Sequence, residues 1–279
     1  LVSNMVDEFP DLQGIIGSKY LLNEGESRDV CLAVLEHYKP KGTLDSLPSN
    51  NLGNVVSLAE RFELIFSIFA KGERPSGSSD PYALRRAANG IFLILWNKNW
   101  QLNLNEIIND SLIYWKQLFP SISIDMSILS SELMDFFRNR IISLLEEKKI
   151  NYDIIQSIAG NTTSTEKLMS NPTDVNFRAS LLMDMRRNSK LAPLQSVVTR
   201  AYKLAAQSSI PENVIDPFDF VDKSLFEKDC ELQMFNILVK LKPLATNINH
   251  DKYKLLADGL ASSAPILSSF FDGEGSVMV

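Results

Sequence analysis

At 279 residues, 45% hydrophobic and 22% charged, the chain has the composition of an ordinary globular protein and length enough for a sizeable core in one or two domains. No run reaches the ~20 apolar residues of a membrane span, no signal-peptide pattern opens the chain, and the two isolated cysteines, Cys31 and Cys230, argue against a disulfide framework or a cysteine metal site. The net charge of −6 speaks weakly against a nucleic-acid partner, yet six cations between Arg178 and Lys203 face the single acid Asp184, a local +5 that leaves −11 for the remainder.

The chain begins at Leu1 in an amphipathic stretch and stops just after an apolar run, and is expected to be a piece of a longer protein from a reducing, cytoplasmic setting. Apolar residues then recur at three- and four-residue steps almost throughout, the pattern of amphipathic helices. In "SRDVCLAVLEHY", Val30, Val34 and Tyr38 share a face. Pro40, Gly42, Pro48 and Gly53 forbid a helix through the following linker, after which "NVVSLAERFELIFSIFA" is helical. Pro75 and Gly77 end that helix; Ser79 or Asp80 caps the next, and Pro81 suits its first turn, so a helix is expected over 81–96. Helices follow at "LNEIINDSLIYWKQLF", at "SSELMDFFRNRIISLLEEKK" with Ser130 or Ser131 as cap, and at "NYDIIQSIAG", which ends on Gly160. "NTTSTEKLMSNPTD" reads as a polar loop. Residues 175–208 read as one long helix broken near Pro193, or as two, and "KSLFEKDCELQMFNILVKLKPLA" and "DKYKLLADGLASSAPILSSFF" complete a second helical group. No period-two alternation demands a sheet. The expectation is an all-α protein of two helical modules, with a soft boundary between Ile122 and Ile128.

Candidate chemistry is sparse. His250-Asp251 is the dipeptide that HD-type phosphohydrolases use to hold a metal, but the other histidine, His37, lies far upstream, and Asp251 is better read as a helix cap. His37, beside Tyr38 at a helix end, reads as an ordinary polar surface residue, and Glu60, Arg61 and Glu63 as a solvated charged stripe. No phosphate-cradling glycine loop and no nucleophile elbow is present. Arg85 and Arg86 diverge by about 100° on a helix, so one can pack along the bundle while the other reaches outward, toward Glu60, Glu63 or Glu73, or toward a phosphate or a partner's carboxylate. Arg178, Arg186, Arg187, Arg200 and Lys203 recur at roughly helical spacing with Tyr202 interleaved. Such a stripe neutralises phosphates while its aromatic stacks a base, or else is a solvated face.

The stretches "LVSNMVDEFPDLQGIIGSKYLLNEGE", "EHYKP", "LPSNNLGNVVSLAERFELIFSIFAKGERPSGSSDPYALRRAANGIFLIL" and "FFDGEGSVMV" resemble the β subunit of the tetrameric glycyl-tRNA synthetases of bacteria and plastids. Order and spacing agree without interruption through about the first 120 residues, and the Asp-Pro-x-Ala-Leu-Arg-Arg-Ala-Ala segment is highly specific. The resemblance implies a degenerate HD-like helical domain over 1–128 and a helical-bundle, anticodon-binding domain like that of arginyl-tRNA synthetase over 129–279. It implies a chain that binds tRNA(Gly) and pairs with an α subunit in an α2β2 tetramer, in the cytoplasm or the plastid stroma. ATP and glycine would be used by the α subunit, leaving this chain with no active site, cofactor or metal of its own.

On that view Arg178, Arg186, Arg187, Arg200, Tyr202 and Lys203 contact tRNA, while Asp80 and Pro81 fix a helix that carries Arg85 and Arg86 as interdomain support or RNA contacts. Two features depart from the family. "AERFE" puts Glu60 and Glu63 where two aspartates are usual, on longer side chains that suit a tight metal site less well, and a short charged helix that follows "VMV" in the family is missing. Two other readings compete: a helical interaction scaffold whose basic stripe meets an acidic protein, and a metal-dependent HD phosphohydrolase.

Overall fold

A computed structural model describes residues 4–120, 125–207, 216–246 and 251–272. Among them the chain is all-α, with no strand and a single isolated bridge between Ser76 and Ser79. None of the described helices is long and apolar enough to cross a membrane. The helices are α1 (Asn4–Glu8), α2 (Ile15–Asn23), α3 (Arg28–Glu36), α4 (Asn51–Ala70), α5 (Leu84–Lys98), α6 (Leu104–Leu118) and α7 (Met126–Glu147). After them come α8 (Tyr152–Ala159), α9 (Thr165–Ser170), α10 (Pro172–Arg187), α11 (Leu191–Ala205), α12 (Asp229–Ala245) and α13 (Lys252–Asp272).

Packing divides the chain into two units, residues 1–179 and 180–279. The first is organised on α4, α5 and α7. Phe62, Phe92 and Phe137, one from each helix, form an aromatic knot in which the Phe92 and Phe137 rings meet nearly perpendicular at 5.8 Å and Phe62 lies 6.2 Å from Phe137. Ile65, Phe66, Ile91, Leu95, Leu133 and Ile141 close the core around it. Because Leu129, Leu133, Phe137 and Ile141 commit one face of α7 to this core, packing does not separate near residue 128, which falls in the first turn of α7, but after Ala179. The second unit has a smaller core of Val197 on α11, Ile237 and Leu241 on α12, and Leu267 and Phe271 on α13.

Several boundaries differ from the sequence expectation, each for a local reason. The helix expected from Pro81 begins at Leu84. Residues Asp80 to Ala83 form a turn closed by the Ala83 N–H on the Asp80 carbonyl, and Ala83 is left-handed, φ +56°. Asp80 does cap: its two carboxylate oxygens accept from the backbone N–H groups of Leu84 (2.8 Å) and Arg85 (3.0 Å). The helix therefore starts where the carboxylate reaches, and Pro81 lies in the preceding turn. Asp80→Ala removes both acceptors and is expected to cost about 1–2 kcal/mol of stability, with Asp80→Asn costing less, read as a shift in the urea midpoint at constant slope.

Likewise α7 begins before the serines expected to cap it, because the Asp125 carboxylate accepts from the N–H groups of Ser127 and Ile128. The segment read as a polar loop contains α9. Ser164 caps it, and the adjacent Leu168 and Met169 are buried, anchoring a turn whose composition is otherwise that of a loop. The break in the long C-terminal segment falls at Asn188–Lys190 rather than at Pro193. Ser189 is left-handed (φ +57°), and the N–H groups of Ser189 and Lys190 return to the carbonyls of Arg186 and Met185, a Schellman closure. Pro193 sits within the first turn of α11, where an N–H has no helical partner to lose.

Candidate nucleic-acid interface

The basic window is distributed over both units. Arg178 belongs to the first, half-buried on α10 with its Nε 2.9 Å from a carboxylate oxygen of Asp174 one turn earlier. The other cations belong to the second. Arg186 is half-buried and Arg187 exposed in the last turn of α10, where the helix dipole favours positive charge. Arg187 lies 3.6 Å from Asp184. Lys190 lies 3.9 Å from Asp258 of α13.

On α11, Leu194 and Val197 turn into the core and Leu204 packs against it, so Arg200 and Lys203, three apart, share an exposed flank. Tyr202 is 73% exposed, but at about 100° per residue it stands roughly 160° from Arg200, on the other flank of the helix. The aromatic is thus available for stacking without sharing the face of those two cations.

The signature arginines separate as their spacing requires. Arg85 turns into a cleft with Phe136, Asn139 and Arg140 of α7. Arg86 stands at a second cleft, of ≈ 290 Å³, with Tyr38, Lys41, Glu60 and Arg61. Among the described residues neither arginine is ion-paired with Glu60, Glu63 or Glu73, and Glu73 instead pairs with Lys71 at 2.7 Å.

Two expectations about this region are overturned. His37 is not a surface residue. It is 1% exposed, its Nδ1 donates to the Val34 carbonyl at 2.9 Å, and its Nε2 lies 3.8 Å from a Glu60 carboxylate oxygen. Nor is "AERFE" a solvated stripe. Glu60 and Glu63 are exposed, but Arg61 between them is buried and donates to the carbonyls of His37 (3.1 Å), Tyr38 (3.0 Å), Pro40 (3.0 Å) and Ser57 (3.0 Å). Burial pushes this guanidinium below its ordinary pKa and neighbouring Glu60 pulls it back. The arginine passes so close to α5 that a Cβ on Gly90 would lie 2.5 Å from its Nε, which explains a glycine in mid-helix.

Among the described residues no three His, Cys, Asp or Glu side chains converge as a metal set. His250 lies outside the described residues, so the His250-Asp251 pair has no geometry here. What sequence reasoning missed are the arginines of α7. Arg138 is buried and donates to the carbonyls of Gly160 (3.0 Å) and Thr163 (2.7 Å), while Arg140 enters the cleft of Arg85. Two residues apart, they point to different sides of the helix, and only the packing reveals which side each takes.

Comparison with known proteins identifies the family. A family profile described as glycyl-tRNA synthetase beta subunit matches residues 1–160. Glycine–tRNA ligase beta subunits of Trichodesmium erythraeum and Acaryochloris marina are 39% and 38% identical over the whole of this chain, which covers 39% of each, and that of Pediococcus pentosaceus is 33% identical over 98% of it. The chain spans about two fifths of the length of these curated relatives.

Proposed function

Because the chain belongs to the glycyl-tRNA synthetase beta subunit family, we propose that it is a tRNA-binding, non-catalytic part of a glycine–tRNA ligase, serving the glycylation of tRNA(Gly) by a separate catalytic subunit. In this reading residues 1–128 are the later part of a degenerate HD-like domain and residues 129–279 an anticodon-binding domain, a division by family resemblance that falls inside the first packing unit rather than at its end. The partners are tRNA(Gly) and an α subunit that handles ATP and glycine, in the cytoplasm or the plastid stroma.

The observation that carries the RNA reading is the outer side of α11. A helix whose inner residues build the core of the second unit presents Arg200 and Lys203 to solvent on one flank and Tyr202 on another, with Arg187 exposed at the end of the preceding helix. Exposed cations suit phosphates and the aromatic suits an unpaired base, whereas nothing there resembles a nucleophile with its base.

Arg200→Ala and Lys203→Ala are each expected to weaken tRNA(Gly) binding several-fold and to flatten the dependence of log K on log [salt] by about one unit. Filter-binding titrations at graded potassium chloride read both. Equal affinity and equal slope in wild type and variants would leave the flank to an acidic protein partner instead.

A further inference from the structure

The Arg85 cleft, of ≈ 280 Å³ and wholly within the first unit, brings two guanidinium groups together, and among the described residues no acid is ion-paired to either. Arg140 is half-buried, and its Nε is shut off from solvent without a hydrogen-bond partner. Like-charged groups facing one another across a partly dry cleft destabilise a fold unless something neutralises them. Burial first, and then the charge of Arg85, push the Arg140 guanidinium below its ordinary pKa, while Asp80, Glu147 and Glu146 pull it back. Asp80, the acid nearest to Arg85 in sequence, accepts from the N–H groups of Leu84 and Arg85 through its two oxygens. Asn139 and Ser143 add neutral polar groups to the wall, and Phe136 an apolar one.

We propose that this cleft is an oxyanion site in which Arg85 and Arg140 together grip one phosphate group of the RNA backbone. The site uses residues other than those of the α11 flank, and its RNA assignment rests on the reading of the chain as a tRNA-binding subunit. Two planar forks converging on one tetrahedral anion are the arrangement that arginine, and not lysine, provides. This also accounts for the capped start of α5: Asp80 fixes the first turn, and with it the position of Arg85, while its carboxylate is turned to the backbone N–H groups of Leu84 and Arg85.

The test uses the full chain, a tRNA(Gly) transcript and the variants Arg85→Gln, Arg140→Gln and their double. Each single change is expected to weaken binding about tenfold, as for the loss of a charge-assisted hydrogen bond. The double variant falls little further than either single one, because both side chains hold the same phosphate, and its salt slope drops by about one unit. Melting temperatures stay at or above wild type, since a like-charge contact has been removed. Unchanged affinity and slope in the double variant overturn the proposal, and so does a lowered melting temperature in both single variants, which marks the pair as structural.

Inorganic phosphate separates the sources of the anion. If it raises the melting temperature of wild type but not of the double variant while tRNA binding is equal in both, the cleft takes free phosphate and the RNA assignment fails. Arg200→Ala and Lys203→Ala run alongside: loss there with none at Arg85 and Arg140 sinks the cleft alone, and loss at neither sinks the RNA reading itself.

Discussion

Arg61→Met is expected to lower the unfolding free energy by about 3–5 kcal/mol, among the largest effects of any single change in this chain. Methionine fills much the same volume but donates nothing. Of the four carbonyls that Arg61 reaches, that of Ser57 keeps its helical N–H in α4, while those of His37, Tyr38 and Pro40 lose the group that now satisfies them. Three of the four belong to the segment that leaves α3, so the loss also frees that segment from α4. Arg61→Lys keeps the charge but can reach only some of these oxygens, and should fall between. Urea unfolding at 25 °C reads both as shifts of midpoint at constant slope. A cost for Arg61→Met below about 1 kcal/mol, the worth of an ordinary single hydrogen bond, would show that the carbonyls find other donors and that Arg61 is not the clamp described.

Phe137→Ala should cost about 3–5 kcal/mol, from lost burial plus the cavity left among rigid neighbours. Phe137 is fully buried, and its ring contacts Phe62 of α4, Phe92 of α5 and Phe136 beside it. Of these, the contacts to α4 and α5 hold α7 in the first unit, so the same substitution should raise amide hydrogen exchange along α7 as well as lower the urea midpoint. Phe137→Leu keeps most of the volume and should cost less than half as much. If Phe137→Ala left the exchange of α7 unchanged, the helix would not owe its place to the aromatic knot.

The helices themselves were largely legible because their apolar period is long and regular, and the specific "DPYALRRAA" segment pointed to the family that the comparisons then established. The failures are physical rather than random. Pro81 carries a preference for a first helical turn, but Asp80 competes with it by capturing the N–H groups of Leu84 and Arg85, and the carboxylate wins. Leu168 and Met169 were hidden in a segment whose Ser, Thr and Asn content outweighs two apolar residues. Charge normally implies solvation, so His37 and Arg61 read as surface groups. Arg61 is instead buried by carbonyls more than twenty residues away in sequence, a long-range arrangement that no local pattern records. For the same reason Arg140 was invisible: its meeting with Arg85 depends on how α7 docks beside the start of α5.

Of the candidate RNA contacts, the run of cations was legible and its division was not. Spacing alone could not show that Arg178 is paired with Asp174 in the first unit while Arg200 and Lys203 line one flank of α11.

The most direct measurement is the affinity of the full chain for a tRNA(Gly) transcript as potassium chloride is raised, compared with the Arg200/Lys203 and Arg85/Arg140 double alanine and glutamine variants in one series. Steep salt dependence in wild type, with a shallower slope and weaker binding in each double variant, is the expected result. Binding that is weak, insensitive to salt and the same in all three proteins would contradict the claim that this acidic helical chain grips RNA through these arginines and lysines.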